Sequence, residues 1–164
     1  MESYEVTRKI FSWGPTYQVR APGSDEVLLT VKQKLLSSRF KLTMVKGTEG
    51  EEVAVMTGNY LRTRFKITHA NKDELADLTF PFVAIKQRFT LHMGGQEYKA
   101  AGGMLAAKFT CMDTDGQPLF EIKREQRSWK DKFAIHIHGQ LPEEVIVFAA
   151  VVINQKYYER QGAE

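Results

Sequence analysis

The sequence predicts a mainly β domain, an antiparallel barrel closed around one buried C-terminal helix. Three observations carry this expectation. Polar and apolar residues alternate with period two over most of the chain, turn signals interrupt the alternation at short intervals, and one uninterrupted apolar run of nine residues, Val145 to Ile153, follows near the end. Period-two alternation marks strands with one face on a core and the other in water.

The alternating runs are Tyr17–Arg20, Val27–Lys32, Arg39–Met44, Glu52–Met56, Leu61–Ile67, Ala84–His92, Glu97–Ala101, Ala106–Met112, Leu119–Lys123 and Lys132–His138. In Arg39-Phe40-Lys41-Leu42-Thr43-Met44 the even positions are apolar; in Leu61-Arg62-Thr63-Arg64-Phe65-Lys66-Ile67 the parity is reversed. Turn signals separate the runs: Pro22-Gly23-Ser24-Asp25, Gly47-Thr48-Glu49-Gly50, Gly94-Gly95, Gly102-Gly103 and Asp113-Thr114-Asp115-Gly116. Many short strands at close spacing make an antiparallel barrel or a sandwich.

The end of the chain breaks the rhythm. Pro142-Glu143-Glu144 places a proline and two carboxylates where a helix would start. The β-branched content of Val145–Ile153 also suits a strand. The proline-acid start and the length through Tyr158 favour a helix over about 142–158. A helix apolar on every side must be buried on every side, which selects the barrel closed around it and leaves little interior room for a ligand. A faint internal repeat also appears: Tyr17–Leu42 and Phe109–Ile135 each read as strand, turn, strand, basic connector, strand.

Length and composition bound the rest. With 164 residues, the expectation is one domain spanning residues 1–164. Apolar residues at 43% and charged residues at 26% exclude a disordered chain. The single cysteine, Cys111, can form no internal disulfide. Met1 leads into Glu2-Ser3-Tyr4-Glu5 rather than a basic and apolar leader, so the expected location is the cytoplasm. The nine-residue apolar run falls far short of the roughly 20 residues that cross a bilayer, so no transmembrane span is expected.

Leu119-Phe120-Glu121-Ile122-Lys123, then Trp129-Lys130-Asp131-Lys132-Phe133-Ala134-Ile135, then the terminal apolar helix, resemble the LURP-one-related family of the tubby C-terminal-like superfamily, which includes the phospholipid scramblases. Lys9-Ile10-Phe11-Ser12-Trp13 also resembles the start of bacterial members, and the likeness runs over about residues 4–158. The resemblance implies a closed antiparallel barrel of about twelve strands threaded by a hydrophobic helix. Two departures limit what carries over. The family's helix often ends in Ile-Asp, whereas Ile153-Asn154 stands here. The acidic segment proposed to bind calcium in scramblases corresponds to one carboxylate, Asp131, between Lys130 and Lys132. Calcium takes six to eight oxygen ligands, so no calcium site is expected there.

The basic residues are the most suggestive feature. Under the alternation, Lys32, Lys34, Arg39, Lys41, Arg62, Arg64, Lys66, Lys86 and Arg88 all point outwards and would stack into a cationic patch for anionic phospholipid head groups, phosphoinositides included, as in some tubby-like domains. The same residues also suit a solvated barrel exterior. Nucleic acid is not expected, because no stacking aromatics are interleaved with the basic teeth.

The remaining constellations read as structural. His136 and His138 share a strand face, but zinc would need Cys111 with His69 or His92 to complete four ligands, and no metal is expected. Asp113-x-Asp115-Gly116 lacks the later acidic positions of a calcium loop and reads as a hairpin turn. Cys111 shares the face of Phe109, a packed thiol rather than a nucleophile. Trp129 and Asp131 share a face and suit a structural hydrogen bond. Gly94-Gly95 and Gly102-Gly103 lack the helix start of a phosphate loop, and there is no Gly-x-Ser-x-Gly elbow. The expectation is therefore a module without enzymatic activity or cofactor, peripheral at a membrane through anionic lipids. The alternatives are a protein-interaction or scaffold domain with no small ligand, and scramblase-like lipid handling.

Overall fold

The structure is a computed structural model, which describes residues 2–12, 14–35, 38–81, 88–102, 108–124 and 131–159. Twelve strands form the barrel: β1 (Glu2–Phe11), β2 (Gly14–Arg20), β3 (Val27–Gln33), β4 (Phe40–Lys46), β5 (Glu52–Gly58), β6 (Arg64–His69), β7 (Glu74–Thr79), β8 (Arg88–Met93), β9 (Gln96–Gly102), β10 (Lys108–Met112), β11 (Pro118–Lys123) and β12 (Lys132–Ile137). Each pairs antiparallel with its neighbour in sequence, and β1 pairs with β12 from Glu2↔Ile137 to Thr7↔Lys132, which closes the barrel. The expected mainly β barrel with a C-terminal helix is the observed architecture.

The inward positions are those the alternation marks. Phe40, Leu42 and Met44 of β4, Phe65 and Ile67 of β6, Phe89 and Leu91 of β8, and Phe133, Ile135 and Ile137 of β12 are buried. Large and small residues are matched across the ladder. Phe40 and Phe65 both face Gly58, Phe89 faces Ala100, Phe109 faces Gly102, Met44 faces Ala54 and Ile67 faces Ala76. A large side chain on one strand therefore faces a small or missing one on the next, which leaves the axis free for the helix.

That helix, α1 (Glu143–Ile153), buries every residue from Val145 to Ile153. Pro142 is its N-cap (φ −56°, ψ 135°) rather than part of its first turn, and Glu143 and Glu144 occupy the positive end of its dipole. Asn154 is buried at the C-cap, where its N–H bonds to the carbonyls of Ala150 and Val151. The chain then continues as a π-helical turn, Asn154–Glu159.

Strand direction alternates, so the β1–β2, β3–β4 and β5–β6 connections open at one end of the barrel, here the rim. The helix enters from the opposite end and finishes at the rim. There Gln155 Nε2 donates to Gln33 Oε1 at 2.9 Å and to Tyr17 Oη at 3.0 Å, and the Tyr157 hydroxyl donates to the Arg88 carbonyl at 3.1 Å. A continuous series of rings packs at this level: Phe40–Phe65, Phe65–Phe80, Phe80–Phe89 and Phe89–Phe109 lie 5.3–5.6 Å apart, and Tyr157 closes on Phe109 at 5.9 Å.

Two particulars differ from the sequence reading. Strands β1 and β7 lie outside the alternating runs. The run at Leu61–Ile67 enters the sheet only at Arg64, and Leu61, placed by parity on the inner face, is 59% exposed on a turn. The repeat segments fall on β2–β4 and β10–β12, each two consecutive hairpins.

Candidate functional site, a basic cleft at the barrel rim

The β5–β6 turn is built by one asparagine. Asn59 Oδ1 accepts the N–H groups of Thr63 at 2.8 Å and Arg64 at 3.0 Å, its carbonyl accepts the Arg62 N–H at 3.0 Å, and its Nδ2 donates to Thr63 Oγ1 at 2.9 Å. Arg62 closes the turn in the left-handed region at φ 54°. Its guanidinium carbon then sits 4.8 Å over the ring of Phe40, which orders the cation without neutralising it. Tyr60 and Leu61, at the tip, project into water, with Tyr60 93% exposed.

Between this turn and the β3–β4 connection lies an open cleft of about 230 Å³, lined by Gln33, Lys34, Leu35, Ser38, Arg39, Phe40, Asn59, Tyr60 and Arg62. The lining holds three basic residues and no carboxylate. Gln33 is held by Gln155 from the end of the terminal helix, so the cleft floor is tied to the core. Guanidinium groups offer paired donors to a phosphate, and a lysine adds a mobile point charge.

The nine basic residues singled out in the sequence separate into groups. Lys34, Arg39 and Arg62 come together in the cleft. Lys32 and Lys41 stand on the adjoining wall, where the Lys34 N–H bonds to the Lys41 carbonyl at 3.0 Å, and Arg64 follows the turn opposite Thr79. Lys66 is already engaged: its ammonium pairs with the Glu74 carboxylate, and that bond and charge raise its pKa above the ordinary lysine value. Arg88 begins β8 opposite Ala101, apart from the cleft. Lys86 lies outside the described residues. Asn59, Tyr60, Ser38 and Leu35 are cleft residues that the alternation did not reveal. The Gly58-Asn59 pair is the turn signal that points to them.

Charge is segregated along the barrel axis. Residues 27–48 and 53–72 contain no Asp or Glu, and their Lys34, Arg39, Lys41, Arg62 and Arg64 stand at or near the rim. The opposite end carries Asp25 and Glu26, Glu49, Glu51 and Glu52, Asp73 and Glu74, Asp113 and Asp115, and Glu143 and Glu144, with Arg20, Lys46 and Lys72 among them. A second cleft of about 230 Å³ is lined by Glu74, Asp77 and His92, the wrong sign for an anion.

The other candidate groups have structural partners. Asp131, in the turn before β12, accepts from Arg8 Nε at 3.0 Å and from its terminal nitrogen at 2.7 Å, tying the first strand to the last; Trp129 lies outside the described residues. His136 Nδ1 meets Ser3 Oγ at 3.0 Å across the same seam. His138 Nε2 lies 3.6 Å from Glu121 Oε2, and Lys108 Nζ lies 3.0 Å from Glu121 Oε1. Partial burial alone would raise the Glu121 pKa; Lys108 and His138 outweigh it and hold the carboxyl below its ordinary value. Asp113 Oδ1 accepts the N–H groups of Asp115 and Gln117, both at 2.9 Å, and so makes the β10–β11 turn. Cys111 is buried beside Phe109, and burial pushes its thiol up to about 12.

No helix among the described residues is long and apolar enough to cross a membrane. A family model described as LURP-one-related matches residues 2–154. A comparison with curated proteins finds no match.

Proposed function

The chain belongs to the LURP-one-related family, and we propose that it is a non-enzymatic module that recognises anionic phospholipid head groups at the basic rim of its barrel. The observation that carries this reading is the cleft between the β3–β4 connection and the β5–β6 turn, which combines Lys34, Arg39 and Arg62 with no carboxylate in its lining. A phosphate entering there meets a guanidinium already positioned over Phe40, so little conformational freedom is lost on binding. Lys32, Lys41 and Arg64 widen the positive surface around it. Each basic residue close to an anionic membrane surface contributes about 1 kcal/mol, so three to six of them suffice for reversible peripheral attachment. The segregated charge adds steering, since the acidic end is repelled while the rim is drawn in.

The test is co-sedimentation with neutral, phosphatidylserine and phosphoinositide vesicles at low and high salt. Binding to the anionic vesicles that weakens with salt and is lost in Lys34→Glu/Arg39→Glu/Arg62→Glu is the expected result. Lys46→Glu, at the opposite end, should bind like the parent. Failure to bind any vesicle at low salt would overturn the reading and favour a protein-interaction domain.

A further inference from the structure

The exposed apolar side chains are not scattered. Among the described residues the large hydrophobics left in water are Ile10, Phe11, Leu28, Leu35, Tyr60, Leu61 and Met112. Leu28 and Met112 stand alone towards the opposite end, whereas the other five gather at the rim. Tyr60, Leu61, Ile10 and Leu35 are respectively 93%, 59%, 70% and 55% exposed. Ile10 and Phe11 end β1 opposite Pro15 and Gly14. Leu35 lies over Gly14 so closely that an added Cβ would come within 2.9 Å of its Cγ. The apolar strip thus runs from the β1–β2 hairpin through Leu35 to the wall of the basic cleft, where Tyr60 and Leu61 stand at the turn tip.

Core and surface rules do not account for this arrangement. A contiguous apolar strip in water is unfavourable and normally marks a contact surface. The residues beside it are basic, and the turn that carries its tip is fixed by the hydrogen bonds that Asn59 accepts and donates rather than left free to fold the tip back. A surface that offers negative charge at one depth and hydrocarbon just beneath it matches both layers together. A bilayer with anionic lipids has that order, and a tyrosine with its hydroxyl at the head groups and its ring below is suited to the boundary. A soluble phosphate would contact Lys34, Arg39 and Arg62 and leave the strip in water.

Resting on the head-group reading above, we infer that the barrel docks end-on to an anionic bilayer, with Tyr60 and Leu61 inserted into the interface beside the phosphate-binding cleft and Leu35, Ile10 and Phe11 lying at its surface. The helix axis then stands across the membrane plane, and the acidic end faces the solution. Electrostatic attraction sets the affinity at low salt, while the apolar tip supplies the part that salt does not screen.

The full chain carries the test, because buried Cys111 leaves room for a reporter thiol elsewhere. Leu61→Cys and, as the reference at the opposite end, Thr48→Cys are labelled with an environment-sensitive nitrobenzoxadiazole dye. Each is mixed with phosphatidylcholine vesicles containing a minority of phosphatidylserine. The Leu61→Cys emission should rise about threefold and shift to the blue as the dye leaves water, and the Thr48→Cys emission should not change. Tyr60→Ser/Leu61→Ser should weaken vesicle affinity about tenfold and abolish the fraction that survives high salt. Salt-sensitive sedimentation with no change at Leu61→Cys would overturn the insertion and leave head-group recognition standing. A response at Thr48→Cys would overturn the orientation. Absence of sedimentation altogether would remove both.

Discussion

The Arg62 guanidinium carbon lies 4.8 Å over the ring of Phe40, and that ring is in turn 5.4 Å from Phe65, edge to face. A surface cation thus rests directly on the inner wall of the barrel. Gly58 makes the arrangement possible, because a Cβ there would come within 2.9 Å of Phe65 and 3.2 Å of Phe40. The candidate site and the core share these rings, so their stabilities are linked.

Gly58→Ala should therefore destabilise the protein. An alanine in a strand ordinarily gains about 0.5–1 kcal/mol over glycine. Forcing a methyl group against two packed rings costs about 1–3 kcal/mol, and the second effect wins. Urea unfolding should show a stability lowered by about 1 kcal/mol net, seen as a lower midpoint with the slope unchanged. A midpoint at or above the parent's would show that the rings yield without cost.

Val151→Asp should abolish cooperative folding. Val151 is fully buried in the last turn of a helix surrounded by the barrel, and an unpaired carboxylate there costs more than about 4 kcal/mol. Cys111 provides the measurement. Its thiol, pushed up to about 12, stays protonated and shielded in the folded parent at neutral pH, and so reacts slowly with a disulfide reagent. The variant should react as fast as the denatured parent. Protection equal to the parent's would contradict the buried helix.

Acid should act through Glu121. Its carboxyl binds a proton less tightly in the folded chain than in the unfolded one, whose ordinary value is 4.5. The unfolded state takes up the proton first as pH falls, so the contribution is full above that value and is lost as pH drops through the depressed folded one. Glu121→Gln removes charge from a pair that is 14% exposed on the carboxylate side and should lower stability by about 1 kcal/mol at neutral pH. Stability plotted against pH should then be flatter for the variant below pH 4.5. Parallel curves would assign the acid response elsewhere.

Much of the fold was legible because one face of each strand meets a core. The ten alternating runs fall on β2–β6 and β8–β12. The two strands outside them lack the pattern for definite reasons. β1 buries only Val6 fully, as its outer half runs along the apolar rim. β7 sets half-buried Leu75 on its outer face beside small Ala76 on the inner one, which blurs the period. The candidate site was harder to read because it is made by connections. Parity correctly turned Arg64 outwards, yet it treated Leu61 and Arg62 as strand residues, when Asn59 folds them into a turn. Nothing in local pattern brings residues 33–35 and 38–40 beside residues 59–62; the β4–β5 pairing does. Lys66 looked equivalent to Arg64 until its partner Glu74 was placed across the ladder.

The order of assembly follows from the topology. The segment at the centre of the barrel leaves the ribosome only after all twelve strands, and the seam that closes the wall joins β1 to β12. While the polypeptide is being made, each hairpin has an apolar face with nothing to lie against, and both outer strands remain unpaired templates for other chains. Completion must therefore wait for α1 and is dominated by distant pairings, which makes it slow relative to helical proteins of this length. A nascent chain stalled before residue 143 should need a chaperone where the finished one does not.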